Sequence, residues 1–173
     1  MRSYTLIAIA VIVIGAIFFV LNNRDTGTTT GGDTEFNKIA SASSLVDYSG
    51  NTVSLDQFKN KPLVINSWAV WCPFCREELA DFAQLQKEFQ NRVVVIAIDR
   101  QETFKKAKGF TDELGITGDM LFLLDSSDSF YKLIGGFSMP ETIFVNSSGK
   151  IIVHKRGPMD LFEMREHTNK IVE

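Results

Sequence analysis

The chain has 173 residues, enough for one ordinary domain plus an extension. Its net charge of -3, with no long run of either sign, excludes the basic patch that nucleic-acid binding requires. An apolar fraction of 45% suits a globular domain, and 14 Phe predict a core filled with flat rings.

The first element is an uncharged apolar run at 5–21, TLIAIAVIVIGAIFFVL. It is at the short end of a membrane span. A cleaved signal peptide needs small residues before the cut, and this run ends FFVLNN. No cysteine follows to carry a lipid. An uncleaved single-pass anchor is therefore expected over 1–21. Arg2 and the terminal amine precede it, while Arg24 behind it is matched by Asp25. The positive-inside rule then puts the amino terminus in the cytoplasm and the rest of the chain on the extracytoplasmic side of the cell membrane. Residues 22–38, rich in Thr and Gly and without apolar periodicity, read as a flexible linker. Residues 39–173 read as the folded domain.

Within that domain, DYSGN at 47–51 marks a turn inside a small hairpin over 45–54. A short helical turn is expected over 54–58. The run LVINSW at 63–68 has the length and apolar continuity of a strand buried on both faces. Residues 72–89 form an amphipathic helix: Leu79, Phe82, Leu85 and Phe89 make one stripe, and Glu77, Asp81, Gln84 and Glu88 the opposite one. A second strand follows at 93–98, then a helix over 101–114 with Phe104, Ala107, Phe110, Thr111 and Leu114 inward. A third strand spans 121–124. DSSD at 125–128 supplies caps for a helix to about 134, stopped by Gly135 and Gly136. Strands at 142–146 and 150–156 are joined by NSSG, a hairpin signal. Asn146 also begins a glycosylation sequon, but serves here as a turn residue. A last helix over 160–172 turns Leu161, Met164, His167 or Thr168, and Ile171 inward. The alternation predicts an α/β domain with parallel crossovers and an antiparallel edge.

Only two cysteines occur, Cys72 and Cys75. A secreted disulfide scaffold needs more of them. A structural zinc site needs a fuller ligand set, and His154 and His167 lack finger spacing. CPFC stands between a buried strand and an amphipathic helix. Pro73 suits the first helical position, where its missing N–H has no partner in any case. Cys72 then sits at the helix amino terminus, where unpaired N–H groups and the dipole favour an anion. The dipole's optimum of ~2 kcal/mol lowers a thiol by roughly 1.5 pKa units. Cys75, one turn later and more buried, is the resolving thiol that attacks a mixed disulfide on Cys72. A purely structural disulfide across so short a loop contributes at most about 2 kcal/mol. Two inert cysteines fit the apolar neighbours Trp68, Trp71 and Phe74, but leave Pro73 unexplained.

The segment WAVWCPFC at 68–75 resembles the active-site segment of the thioredoxin-like superfamily. The anchor and Glu78 bring it nearer the membrane-anchored TlpA/ResA-type thiol:disulfide oxidoreductases. MPET at 139–142 resembles that family's cis-proline loop. The resemblance implies a thioredoxin-like fold: a central mixed sheet flanked by helices, here behind an N-terminal transmembrane helix. It implies that Met139 pairs its backbone with a substrate strand, with Pro140, Trp71, Pro73 and Phe74 completing the substrate-binding surface. Asn66 stands where thioredoxins usually have a buried Asp, and Asn is no base at neutral pH. Glu78, which interrupts the apolar stripe one turn after Cys75, is the substitute proton acceptor. Its burial should raise its pKa.

Together these predict an extracytoplasmic enzyme that exchanges a Cys72–Cys75 disulfide with protein thiols and disulfides. It would act as a reductant, for instance in cytochrome c maturation, and be recharged by a membrane redox partner. It needs no cofactor and no metal, and is expected to be a monomer. A disulfide-forming oxidase of the same fold is the first alternative. Another class is a copper-binding chaperone using Cys72, Cys75 and His154 or Met139. A peroxide-reducing enzyme needs a Thr or Ser and an Arg near the cysteine, and the residues before Cys72 offer none at suggestive spacing.

Overall fold

A computed structural model of the chain describes residues 35–172. The expected anchor over 1–21, and the linker up to residue 34, lie outside the described residues. Among the described residues no helix is long and apolar enough to cross a membrane.

All six residues of β3 (Leu63–Trp68) are buried, so the strand that the apolar run predicts is covered on both faces. It lies between β4 (Val94–Arg100), parallel to it, and β6 (Glu141–Val145), antiparallel. β5 (Leu121–Asp125) extends the parallel part beside β4. β1 (Leu45–Asp47) and β2 (Thr52–Val53) close one end, and β7 (Ile151–Arg156) the other. The sheet is mixed, in the order β2-β1-β5-β4-β3-β6-β7.

Strand alternation sorts the side chains into separate cores. Val64, Val95 and Phe144 face α2 (Pro73–Phe89) and α5 (Leu161–Val172), with Phe82, Leu85, Met164 and Ile171. Trp68, Ala97 and Phe122 continue toward α3 (Phe104–Glu113). On the other side Ile65, Ile96, Ile98, Leu123 and Ile143 meet Phe130 and Ile134, from and just after α4 (Ser129–Leu133).

That second core is completed by α1 (Glu35–Ala42), which corrects the expected linker boundary at 38. Phe36, Ile39 and Ala40 are buried, and their spacing puts them on one helical face. The Thr/Gly composition ends before these residues, and burying one Phe and one Ile gives the segment a reason to order. One other boundary shifts, and some inward positions change. The helix after β4 begins at Phe104, not 101: Gln101 takes φ 58°, and Thr103 caps α3 by accepting Lys106 N–H at 3.3 Å. Phe104 and Leu114, expected inward, are 45% and 38% exposed. In α5 the inward residue is Thr168, whose hydroxyl donates to the Met164 carbonyl at 2.7 Å, while His167 meets Phe144 edge-on.

Asp125 shows how a strand end starts a helix. Its carboxylate accepts Ser129 N–H at 2.9 Å and Phe130 N–H at 2.8 Å. This satisfies donors that the first turn of α4 leaves free.

Phe82 is fully buried between α2 and the sheet. Phe82→Ala should lower stability by about 3–5 kcal/mol, measured by chemical denaturation of the oxidised protein.

Candidate active site

β3 ends at Trp68 and α2 begins at Pro73. The four residues between them must turn the chain and supply the helix cap. Cys72 is the N-cap residue, and its Sγ accepts Cys75 N–H at 3.2 Å. Cys72 and Cys75 are joined by a disulfide with Cα atoms 5.3 Å apart. Cys75 is fully buried and Cys72 nearly so, at 2% exposure. Around them Trp71 and Phe74 are 56% and 53% exposed, and Pro73 is exposed. Met139 packs against the cluster that contains both cysteines, and the Met139–Pro140 peptide is cis. The sequence-predicted residues Cys72, Cys75, Trp71, Pro73, Phe74, Met139 and Pro140 therefore belong to one locality at the end of the sheet.

Glu78 lies beneath this surface, on the same face of α2 as Cys75 and only 3% exposed. Asn66 Nδ2 donates to its Oε1 at 3.0 Å, and Met159 N–H to its Oε2 at 3.2 Å. Asn66 Nδ2 also donates to Thr142 Oγ1 at 3.0 Å, tying β3 to β6. Burial disfavours the charged carboxylate and outweighs the bonds from Met159 and Asn66, pushing Glu78 up to about 8. A groove of about 410 Å³ runs from Phe74 past Glu78 to Met159 and links the buried carboxyl to solvent. At neutral pH such a group can both take and return a proton.

A pair of carboxyl groups, Asp99 and Glu102, which sequence reasoning missed, holds the loop before Cys72. Val70 N–H donates to Glu102 Oε2 at 2.6 Å. Glu102 is also paired with Lys106, and its own N–H donates to Asp99 Oδ1 at 3.1 Å. Asp99 is fully buried opposite Trp68 in the parallel ladder. Burial, with Glu102 alongside, pushes the Asp99 carboxyl up to about 8. Burial also opposes the Glu102 charge, but Lys106, Asp99 and Val70 N–H outweigh it, and its pKa is lowered. The available signal was topological: both acids lie at the carboxyl end of a parallel strand, where α/β sheets gather their sites.

His154, the alternative ligand, lies on β7 with Nε2 3.7 Å from Glu141 Oε1. Among the described residues no three histidine, cysteine or carboxylate side chains gather as a metal requires.

Comparison with known proteins places this geometry. The Redoxin family matches residues 34–170. The thiol-disulfide oxidoreductase ResA of Bacillus thuringiensis subsp. konkukian is 26% identical over 166 residues, 95% of this chain and 94% of that protein. The thioredoxin-like protein YneN of Bacillus subtilis is 29% identical over 126 residues, 71% of this chain and 72% of that protein. Among solved structures, a putative thiol:disulfide interchange protein DsbE from Chlorobium tepidum superposes with a TM-score of 0.70 at 19% identity. It covers 78% of this chain and 95% of that one, and the likeness is one of fold.

The buried acid at 78 has a consequence for stability. The native state holds this proton more tightly than the unfolded chain, whose carboxyl titrates near 4.5. Its contribution is whole below that value and is lost as pH rises through about 8. Between those limits the stability of the wild type should fall relative to Glu78→Gln, at about 1.4 kcal/mol per tenfold difference in proton affinity. Thermal melts of both oxidised proteins across this range measure it, and Asp99 leaves a common residual slope in each.

Proposed function

Because the chain belongs to the Redoxin family and is a thiol–disulfide oxidoreductase, we propose that it reduces protein disulfides on the extracytoplasmic side of a membrane. The fold is a thioredoxin-like α/β domain with a mixed central sheet. The observation that carries the reading is the position of Cys72: N-cap of α2, bonded to Cys75 within the first turn, and framed by exposed Trp71 and Phe74.

In the reduced enzyme the Cys72 thiolate attacks one sulfur of a substrate disulfide. A mixed disulfide forms, and the first substrate thiolate leaves. Cys75 then gives its proton to Glu78 and attacks the Cys72 sulfur. The second substrate thiolate departs, and two electrons have passed from the cysteine pair to the substrate. Met139 and Pro140 receive the substrate backbone, with Trp71, Pro73 and Phe74 as the rest of the contact surface. Glu78 supports its role through its burial, its place one turn after Cys75 and a proton affinity near neutral.

The apolar run at 5–21 supports tethering, with residues 22–34 as spacer. The oxidised pair would be recharged by a membrane dithiol partner, the enzyme acting as a monomer without cofactor. Maturation of cytochrome c, which requires reduced cysteines outside the cytoplasm, is the substrate process favoured here.

The reduction potential of the Cys72–Cys75 couple, equilibrated against glutathione or dithiothreitol, tests the direction. A reductant should give about -250 mV or lower, whereas a value near about -120 mV would make the protein an oxidant. Alkylation of reduced Cys72 should titrate well below a free thiol's ~8.5, within ~3.5–7. Glu78→Gln should slow resolution of the mixed disulfide about a hundredfold at neutral pH. A rate profile unchanged from about pH 5 to 8 would remove Glu78 from the mechanism.

A further inference from the structure

Phe137, in the loop between α4 and β6, is 85% exposed, the most of any large hydrophobic side chain described. Its main chain is nonetheless held from within. Phe137 N–H lies 3.2 Å from each oxygen of the Glu141 carboxylate. Glu141 is fully buried. A buried carboxylate is tolerated only when paired and hydrogen-bonded. Arg156 Nε supplies the pairing, donating to Oε1 at 2.8 Å. Glu141 also sits in the ladder between Ser67 of β3 and Arg156 of β7, so the sheet fixes its position.

The other side of the loop has its own hold. Tyr131 OH donates to the Ser138 carbonyl at 2.8 Å. Arg100 stacks 3.4 Å over the Tyr131 ring and makes two 2.7 Å bonds to Asp128. At Gly136 any Cβ would collide with the Tyr131 ring. Between the two holds, Met139 packs against the cysteine cluster. Among the described residues, none pairs with the Met139 main-chain N–H or carbonyl.

A buried carboxylate that holds a loop N–H as well as its Arg156 partner, with an aromatic ring left in solvent beside a free main-chain edge, is poorly explained by stability alone. We propose that Glu141 is a positioning residue for substrate: from inside the sheet it sets the course of residues 137–139. It thereby aims Phe137 and the Met139 edge at a cysteine-bearing extended segment with apolar neighbours. Glu141 acts through the loop rather than on the sulfurs. The proposal rests on the reading of this chain as a protein-disulfide reductase.

The test uses the full-length chain and its steady-state reduction of insulin disulfides, driven by dithiothreitol. Glu141→Gln places an amide donor against either Phe137 N–H or Arg156. It should raise KM for insulin about tenfold while kcat stays within about twofold. The reduction potential and the rate toward the small disulfide dithiodipyridine should not change. Phe137→Ala removes only a solvent-exposed ring, so the fold persists, and it should raise KM in the same direction. A wild-type KM in Phe137→Ala overturns the proposal, including in the case that Glu141→Gln does not fold. Equal losses in kcat, potential and dithiodipyridine rate in Glu141→Gln also overturn it, since they mean a general structural role. A wild-type enzyme that fails to reduce insulin sinks the reductase reading, and the proposal with it.

Discussion

The chemistry of this protein depends on how a strand buried on both faces hands over to a helix within four residues. β3 leaves the interior at Trp68, and α2 starts at Pro73. Its first N–H groups have no intrahelical acceptor. A side chain at the N-cap must meet them, and here that side chain carries sulfur: Cys72 accepts Cys75 N–H. The same requirement that caps the helix places one thiol where negative charge is favoured and the second a turn away. Neither cysteine could move along the sequence without losing the cap or the partner.

The junction is short, so it needs outside support, and three carboxyl groups provide it from different directions. Glu102 holds Val70 N–H ahead of the cysteines. Glu78, below them, joins β3 to the segment entering α5 through Asn66 and Met159. Glu141 holds the facing loop from the opposite side of the sheet. These acids share a burial that would be unfavourable for free carboxylates, and they differ in how it is relieved. Glu141 has a guanidinium and Glu102 an ammonium, whereas Glu78 meets only neutral donors. For Glu78, with no cation bonded to it, burial raises the proton affinity to the range useful for thiol chemistry.

Much of this architecture was legible in the residue pattern. β3, α2 and the closing hairpin stand out because their apolar spacing is local and unbroken, and the CPFC motif marks the junction. Glu78 was visible because it interrupts a stripe. α1 was not, since a helix of two turns with three inward residues hardly differs from a polar tether until its docking partners are known. The supports were hidden for a related reason. Glu102 meets Val70 across 32 residues, Asn66 meets Thr142 across 76 and Glu78 meets Met159 across 81. Sequence periodicity describes which face a residue shares, and says nothing about which distant donor the fold will bring to it. Glu141 falls between these cases: it belongs to the MPET motif, yet its hold on Phe137 needs β7 in place to supply Arg156.

The two ends of the sheet bear on how such a protein coexists with the chains it handles. β2 is two residues long, too short to template another strand. β7, the opposite edge, carries Lys155 and Arg156 in succession, charged side chains that disfavour strand addition. An extended segment of any protein substrate could add to an open sheet edge and seed association. Blunted edges leave such chains little purchase on the sheet, so that colloidal solubility and access to the disulfide are governed by separate parts of the surface.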